Sequence, residues 1–301
     1  MAGKEPTKKY RGNCHCTAYV FEVELPENIK SGLEATCSYS YKRGGIYLSP
    51  DNSNGVEFVK GDPATLSNYT FGGVKYQFCP TCSILLFRID TQTHVNIRVL
   101  QRIKIWDIDT KPLDEKTPPP PWTPPEFTGP EPRAEIEGAQ IYTGSCHCGA
   151  VTLAMKSKPI DSTYDGLIIE CDCSICTRNA YCWIYPSKPQ VSIAVTADTA
   201  EGTETGTSMG MGYYSFGGGV WRKSFCRACG VALHNRIEDY TPERIERELP
   251  AEQRQWARDH LDWSPVNLRV LDGVDLAALR ITRVEGSKRS GPPKPGGYED
   301  P

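Results

Sequence analysis

Three cysteines within six residues form the densest group of chemically active side chains in this sequence. They follow the spacing C-x-C-x-x-C, as Cys171, Cys173 and Cys176. Thiolates are common zinc ligands; structural zinc usually has four protein ligands, whereas catalytic zinc usually has three and an open position. The triple alone therefore allows two interpretations: an open catalytic zinc site, or a structural site whose fourth ligand comes from elsewhere in the chain.

Eight further cysteines occur as two C-x-C pairs and two distant C-x-x-C pairs. Combined in chain order they give two sets of four thiolates: Cys14, Cys16, Cys79 and Cys82, and Cys146, Cys148, Cys226 and Cys229. Four thiolates complete a tetrahedral structural zinc site. An iron–sulfur cluster is the alternative, but the spacings match none of the common cluster patterns. Because the second set is complete without the triple, we expect the triple to be a separate, open zinc site. The sequence thus predicts three zinc ions, two structural and one catalytic.

Composition and charge limit the classes of function. The chain has 301 residues, 39% of them hydrophobic and 24% charged, with a net charge of −3. Long runs of lysine and arginine are absent from the sequence, so we expect neither nucleic acid nor a membrane surface as a partner. The first residues lack the apolar core of a signal peptide, and no apolar stretch reaches the length of a membrane span. We therefore expect a reducing, cytoplasmic location, where an odd count of thirteen cysteines favours metal ligands over disulfides.

The elements that position these cysteines occur twice in the chain. Four segments recur in the same order: GNCHCTA at 12–18 and GSCHCGA at 144–150, YTFGG at 69–73 and YSFGG at 214–218, FCPTC at 78–82 and FCRAC at 225–229, and VNIRVL at 95–100 and VNLRVL at 266–271. Such self-similarity indicates two copies of one domain. We predict domains over 9–108 and 138–285, joined by a linker over 109–137 and followed by a disordered tail over 286–301.

Proline fixes φ and has no N–H to donate, so the proline-rich segment 109–137 is predicted to be an extended, semi-rigid linker. The alternative is a polyproline peptide-recognition segment. Within each copy, short runs of β-branched and aromatic residues separated by glycine turns predict a mainly β fold.

The second copy has an insertion of its own, at 238–264. Thr241 followed by Pro242 predicts a helix start, with threonine as N-cap and proline at the first helical position. Residues 250–263 are predicted to form a second short helix. The insertion is either a surface decoration or a lid or wall for a pocket, since long insertions in compact domains are often functional.

The first copy is predicted to lack the third metal site. Aligning Cys37 with Cys171 places Tyr39 and Lys42 at the other two ligand positions. Neither residue is a usual zinc ligand, so we interpret the first copy as a pseudo-domain that supports an active second copy.

The order G-x-C-x-C-G-x-V at 144–151, C-x-C-x-x-C at 171–176 and F-C-x-x-C-G at 225–230 resembles the glutathione-dependent formaldehyde-activating enzyme family, also called the CENP-V/GFA family. The resemblance covers nearly all of 138–285; the first copy has four of the seven cysteines. It implies two tandem Mss4-like zinc-binding β domains and a carbon–sulfur lyase. By the same resemblance, Cys146, Cys148, Cys226 and Cys229 hold structural zinc, whereas Cys171, Cys173 and Cys176 hold catalytic zinc near a glutathione site.

The chemistry of three thiolates agrees with a sulfur substrate. Zinc with three thiolates carries a net charge of −1, suits a soft fourth ligand, and deprotonates a bound thiol. We therefore expect the thiol of glutathione, as co-substrate, to bind as thiolate at the open position, and a small-molecule thiol adduct to be the substrate. Arg178 and Asn179 are candidates for binding a glutathione carboxylate. The alternative function is a non-catalytic zinc-stabilised scaffold or protein-interaction module.

Other side chains give weaker signals. His15 and His147, each between paired cysteines, are expected to be exposed, and Cys182 is expected to be a small buried apolar residue. His234 is either structural or an acid–base group that faces a pocket. We expect the two domains to pack on each other, and the sequence is compatible with a homo-oligomer.

Overall fold

The structure is a computed structural model that describes residues 6–50, 55–113, 120–196, 210–216, 221–237, 241–249, 251–288 and 298–301. By their internal contacts these residues form two units. The first contains the described residues up to Trp122, together with Asp172–Ala180 and Glu299–Pro301; the second contains Thr123–Cys171 and the described residues of Tyr181–Tyr298. The predicted domain boundaries remain predictions. Residues 114–119 of the predicted linker and 289–297 of the predicted tail lie outside the described residues.

Among the described residues before 114, the first unit contains ten strands and one α-helix. The strands are β1 (Thr7–Asn13), β2 (Val20–Pro26), β3 (Ser31–Glu34), β4 (Tyr47–Leu48), β5 (Val56–Lys60), β6 (Ser67–Phe71), β7 (Val74–Phe78), β8 (Leu85–Ile89), β9 (Thr93–Asn96) and β10 (Asp109–Pro112), and the helix is α1 (Ser38–Arg43). A small antiparallel sheet has the order β1-β2-β5, and a seven-stranded sheet has the order β10-β3-β4-β9-β8-β7-β6.

Strand β2 shows why these segments form sheets. Phe21, Val23 and Leu25 alternate with glutamates, so a period of two places the apolar side chains on one buried face. The four-residue strand Asp109–Pro112 lies parallel to β3, where Thr110 pairs with Gly32.

The second unit repeats this arrangement. Its strands are β11 (Gln140–Ser145), β12 (Val151–Ser157), β13 (Ile168–Cys171), β14 (Cys182–Ile184), β15 (Val191–Val195), β16 (Met211–Tyr214), β17 (Trp221–Cys226), β18 (Ala232–Ile237), β19 (Val266–Asn267) and β20 (Thr282–Val284). The small sheet has the order β11-β12-β15, and the large sheet has the order β16-β17-β18-β19-β14-β13-β20. Read from the other end, the large sheet of the first unit has the same order. The prediction of a mainly β protein with two tandem β domains is confirmed.

Helix α2 (Ser174–Asn179) follows β13 in the chain and groups with the first unit. Within that unit, Arg98 Nη1 donates to the Thr177 carbonyl oxygen at 3.5 Å, and His15 Nε2 lies 3.0 Å from Ser174 Oγ.

The predicted helical insertion is confirmed. Helix α3 (Pro242–Glu248) begins after Thr241, whose hydroxyl accepts a hydrogen bond from the Arg244 amide at 3.2 Å. Helix α4 covers Ala251–Asp259, which is shorter than the predicted segment; Pro250 lies outside the described residues. Buried Ile245, Leu249 and Ala257 pack with Trp221 of β17, so the insertion has an apolar cluster of its own.

Candidate metal centres

The structure brings the first set of four thiols together. The sulfurs of Cys14, Cys16, Cys79 and Cys82 all lie within 4.8 Å of one another. Cys14 and Cys16 lie in the turn between β1 and β2, and Cys79 and Cys82 lie in the turn between β7 and β8. The cluster therefore ties the small sheet of the first unit to its large sheet.

The second set has the same construction. The sulfurs of Cys146, Cys148, Cys226 and Cys229 also lie within 4.8 Å of one another. In each copy a backbone amide donates to the first sulfur: Tyr19 N to Cys14 Sγ at 3.3 Å, and Val151 N to Cys146 Sγ at 3.2 Å. Amide donors of this kind favour a thiolate over a thiol.

Both turns of each cluster need a residue with positive φ. The second copy has glycine at these places, Gly149 with φ 84° and Gly230 with φ 70°, whereas the first copy has Thr17 at 56° and Ser83 at 60°. Glycine adopts this region without steric cost, and other residues do so rarely. The first copy thus keeps the turn geometry although it has lost the glycines, as expected if the ligand positions are constrained.

The donor set of each cluster fits a divalent metal ion. Cys14 and Cys16 Sγ are 3.5 Å apart, as are Cys148 and Cys226 Sγ. Zinc–sulfur bonds of about 2.3 Å in a tetrahedron require sulfurs about 3.8 Å apart. Burial raises the pKa of the Cys82 thiol well above its usual range, whereas S–H donation from Cys14 lowers that of Cys16. Without a cation most of these clustered sulfurs must keep their protons, whereas a bound metal ion would stabilise all four as thiolates.

The triple forms a separate three-thiol cluster. The sulfurs of Cys171, Cys173 and Cys176 lie within 4.8 Å of one another; Cys176 is buried, and the other two are partly exposed. Cys171 is the last residue of β13, Cys173 is the N-cap of α2, and Cys176 follows in its first turn. Residues three apart lie on the same side of a helix, which is why this spacing brings the sulfurs together. Three soft donors of this kind fit a zinc ion with a further coordination position.

The structure corrects the alignment of this stretch with the first copy. Helix α1 has Cys37 as N-cap and Gly44 at its C-terminal cap; α2 has Cys173 and Ala180 at those places. The flanking strands support the same alignment. Leu33, four residues before Cys37, pairs with Tyr47, and Ile169, four residues before Cys173, pairs with Trp183. Cys37 is therefore the counterpart of Cys173, not of Cys171, because the capping position fixes the register of the helix.

The correct counterparts of the three ligands are Ala35, Cys37 and Ser40. Cys37 Sγ accepts from the Ser40 amide at 3.4 Å and lies 3.5 Å from the Tyr76 hydroxyl. Ser40 Oγ lies 3.3 Å from the same hydroxyl. The assignment of Tyr39 and Lys42 to ligand positions was wrong. The first copy has one thiol and one hydroxyl there, in a hydrogen-bond network with the Tyr76 hydroxyl.

The two residues predicted to bind a carboxylate, Arg178 and Asn179, are both buried at 6% exposure. Arg178 Nε donates to the Asn13 carbonyl oxygen at 3.2 Å, and Nη1 donates to the Ser174 carbonyl oxygen at 3.2 Å. Its Nη2 donates to a carboxylate oxygen of Asp300 at 2.9 Å. The guanidinium that we predicted to bind a ligand carboxylate thus pairs with a carboxylate of the chain itself.

Two other predictions have clear outcomes. His15 and His147 were expected to be exposed, but each is only 3% exposed, because the turns that carry them pack into the protein. Cys182 is fully buried, as predicted, and burial raises its thiol pKa to about 12.

The sequence analysis missed Lys223. This lysine is buried in β17, with its ammonium about 5 Å from the ring centres of Tyr181 and Trp183 and 3.1 Å from the Asn235 side-chain oxygen. Lysine within a strand is usually exposed, so only the packing distinguishes it.

Comparison with known proteins gives one family. Residues 141–248 match the model of the family described as glutathione-dependent formaldehyde-activating enzyme. The chain is also similar to a crystal structure of a Rhodobacter sphaeroides protein, with 27% identity over 34% of this chain and 99% of that chain, and a TM-score of 0.30. No curated protein matches. Among the described residues, none of the helices has the length and apolar character needed to cross a membrane.

Proposed function

We propose, on the premise that residues 141–248 belong to the glutathione-dependent formaldehyde-activating enzyme family, that this protein is a zinc-dependent carbon–sulfur lyase. Its substrate is a glutathione or other thiol adduct, and its working site is the cluster of Cys171, Cys173 and Cys176. The observation that carries the proposal is that this cluster has three thiols and is separate from two complete four-thiol clusters. A purely structural role gives no reason for a third, incomplete set.

The reaction in the cleavage direction is the conversion of a hydroxyalkyl thioether into a thiol and a carbonyl compound. The carbon–sulfur bond breaks and its electron pair goes to sulfur, while the hydroxyl group loses its proton and becomes the carbonyl. Cys171, Cys173 and Cys176 would hold a zinc ion, which would stabilise the departing sulfur as a thiolate at neutral pH. Addition is the same reaction in reverse, with the thiolate attacking the carbonyl carbon.

The chain's own residues have three roles in this proposal. Cys171, Cys173 and Cys176 hold the metal, with their spacing set by the end of β13 and the first turn of α2. Arg178 and Asn179, on the last turn of α2, bind a glutathione carboxylate. A planar guanidinium suits a carboxylate because it donates two parallel hydrogen bonds. A reducing, cytoplasmic location belongs to the proposal, since the ligands must remain thiolates.

A non-catalytic scaffold is the second candidate, and one observation favours it. The first copy forms the corresponding helix with Ala35, Cys37 and Ser40 in place of the three ligands, so the fold does not require the triple. The two candidate functions differ in whether the three-thiol cluster binds a substrate thiol. A thiol-binding assay should detect binding for the lyase and none for the scaffold.

The test measures zinc per chain by elemental mass spectrometry in wild type, Cys173→Ser and Cys37→Ser. Cys37→Ser is a matched control, because it makes the same substitution at the same capping position, and serine is itself a preferred N-cap. We expect three zinc ions in wild type and in Cys37→Ser, and two in Cys173→Ser with unchanged circular dichroism. Calorimetric titration should then show glutathione binding to Cys173→Ser at least about tenfold more weakly than to wild type. Two zinc ions in wild type, or equal affinities for glutathione, would favour the scaffold.

A further inference from the structure

A cavity of about 380 Å³, open to solvent, lies in the second unit, in the part of the fold formed by the small sheet, β16, β18 and the end of the insertion. Ile193 of β15, Tyr213 of β16 and His234 of β18 line it. Trp263, from the end of the insertion, forms part of its wall. Its volume lies in the range of pockets that bind small molecules.

The repeat shows what the first copy has at the equivalent place. Gly12 pairs with Phe21 as Gly144 pairs with Leu153, and Phe21 pairs with Phe58 as Leu153 pairs with Ile193. Phe87 pairs with Val95 as His234 pairs with Val266. The counterparts of Leu153, Ile193 and His234 are therefore Phe21, Phe58 and Phe87.

In the first copy these three phenylalanines fill the space. The ring of Phe87 lies 4.9 Å from that of Phe21 and 5.8 Å from that of Phe58, between ring centres. Protein interiors are packed to crystal-like density, and empty space in a core costs stability. The second copy has replaced three rings by two aliphatic side chains and an imidazole, and it has a cavity lined by two of the three replacements.

The hydrogen bonds of His234 fix which ring nitrogen can meet a ligand. Ser224 Oγ donates to the His234 carbonyl oxygen at 3.1 Å and accepts from the His234 amide at 3.0 Å. Its oxygen also lies 2.5 Å from His234 Nδ1, and in the arrangement in which Ser224 donates to the carbonyl oxygen, Nδ1 carries the ring proton and donates to Ser224. Nε2 is then a hydrogen-bond acceptor, and it has no partner among the described residues.

The imidazole is 4% exposed, and burial lowers its pKa to about 3, so it is neutral at physiological pH. An acceptor that lines a cavity can receive a hydrogen bond from water or from a ligand. The lining therefore suits a ligand with an N–H or O–H group.

The rest of the cavity lining contains aromatic side chains and cationic side chains. Tyr213 and Trp263 offer aromatic surface, and Ile193 adds apolar surface. Lys188 and Arg236 are the charged residues of the lining, and both are cationic. Apolar walls with a small number of placed polar groups are typical of small-molecule sites.

We infer that this cavity binds a small aromatic carboxylate, with its ring against Tyr213 and Trp263, its carboxylate toward Lys188 and Arg236, and a donor group toward His234 Nε2. The inference stands independently of the three-thiol cluster, because all of its residues belong to the second unit.

The experiment uses indole-3-acetate as probe, since it has a ring N–H and a carboxylate, and its neutral amide as the matched compound. Binding to the full-length protein is followed by ligand-observed NMR titration. Ile193→Phe and His234→Phe each restore the residue of the first copy and should fill the cavity. Ile141→Phe, on exposed β11 of the same small sheet, is the control for an added ring.

We expect saturable binding of indole-3-acetate to wild type and to Ile141→Phe. Both filling variants should bind at least about tenfold more weakly, and the amide should bind wild type about tenfold more weakly than the acid. The two filling variants lie on different strands, so one still tests the cavity if the other fails to fold. Absence of saturable binding, or equal affinity in all variants, would contradict the proposal that this cavity is a binding site. Equal affinity for the acid and the amide would contradict the proposal that the ligand's carboxylate is recognised.

Discussion

The protonation of each titratable side chain here depends on what surrounds it. Cys182 is buried without a metal-ligand cluster, so its thiol pKa rises to about 12 and it behaves as an apolar residue. Cys148 has the sulfurs of Cys146 and Cys226 within 3.6 Å, and the pKa of its thiol is lowered because Cys146 donates to it. The same residue type is thus an apolar side chain in one place and a ready thiolate in another.

His234 gives a prediction at this scale. Its pKa is about 3 in the folded chain, mainly through burial, against about 6.5 when unfolded. The unfolded chain therefore binds a proton at a pH where the folded one does not, and stability falls as pH falls from about 6.5 toward 3. Between pH 7.5 and 5.5, His234→Phe should lose about 1 kcal/mol less free energy of unfolding than wild type. Urea unfolding with excess zinc at both pH values measures the free energy of unfolding of wild type and of His234→Phe. An equal decrease in the two proteins would contradict the prediction.

At the scale of elements, two helices with the same capping geometry have different chemistry. Helices α1 and α2 each follow a strand, begin after a cysteine N-cap, and end in a left-handed residue. Where the first copy has Ala35 and Ser40 beside its capping thiol, the second has Cys171 and Cys176, and these complete the three-thiol cluster. The helix provides the spacing, and the side chains decide whether metal can bind.

The segment Glu299–Pro301 gives a prediction at the same scale. Asp300 pairs with Arg178, and Gln101 Nε2 donates to the Pro301 carbonyl oxygen at 3.1 Å. If Arg178 binds a glutathione carboxylate, Asp300 competes with it. Asp300→Asn should then bind glutathione about three- to tenfold more tightly than wild type in a calorimetric titration.

Glu299→Gln is the matched control, because it removes the same charge from the neighbouring, exposed residue. Its affinity for glutathione should equal that of wild type. Unchanged affinity in Asp300→Asn would assign Arg178 a structural role in holding this segment.

At the scale of the molecule, each unit is a small sheet and a seven-stranded sheet tied by four thiols. Each cluster joins two turns far apart in sequence, at 14–16 and 79–82 in the first unit and at 146–148 and 226–229 in the second. Metal binding of this kind contributes about 10–16 kcal/mol in small zinc domains, which is comparable with the whole stability of a typical domain.

Removal of metal should therefore unfold both units. With a strong zinc chelator under reducing conditions, we expect the Tm to fall by more than about 10 °C and far-UV circular dichroism to lose strand signal. The same chelator loaded with zinc beforehand is the control, and added zinc should restore the transition. An unchanged Tm after loss of zinc would show that the thiol clusters do not stabilise the fold.

Several features could be predicted from sequence because the signal is local. The C-x-C and C-x-x-C spacings identify the members of all three thiol clusters, since short spacings put ligands in one turn whatever the rest of the fold does. Thr241 and Pro242 correctly mark the start of α3 for the same reason. The recurrence of these local signals in one order predicts the tandem β domains.

Other features depend on long-range packing and were decided only by the tertiary structure. The register that makes Cys37 the counterpart of Cys173 rests on strand pairing and helix capping, which a cysteine present in both copies does not define by itself. The burial of His15, His147 and Lys223 depends on which distant residues cover them. The cavity at His234 depends on strands far apart in sequence, because His234 and Ile193 lie where the first copy has Phe87 and Phe58. Sequence thus determined the thiol clusters and the repeat, since these depend on local spacing, whereas packing decided register, burial and the cavity.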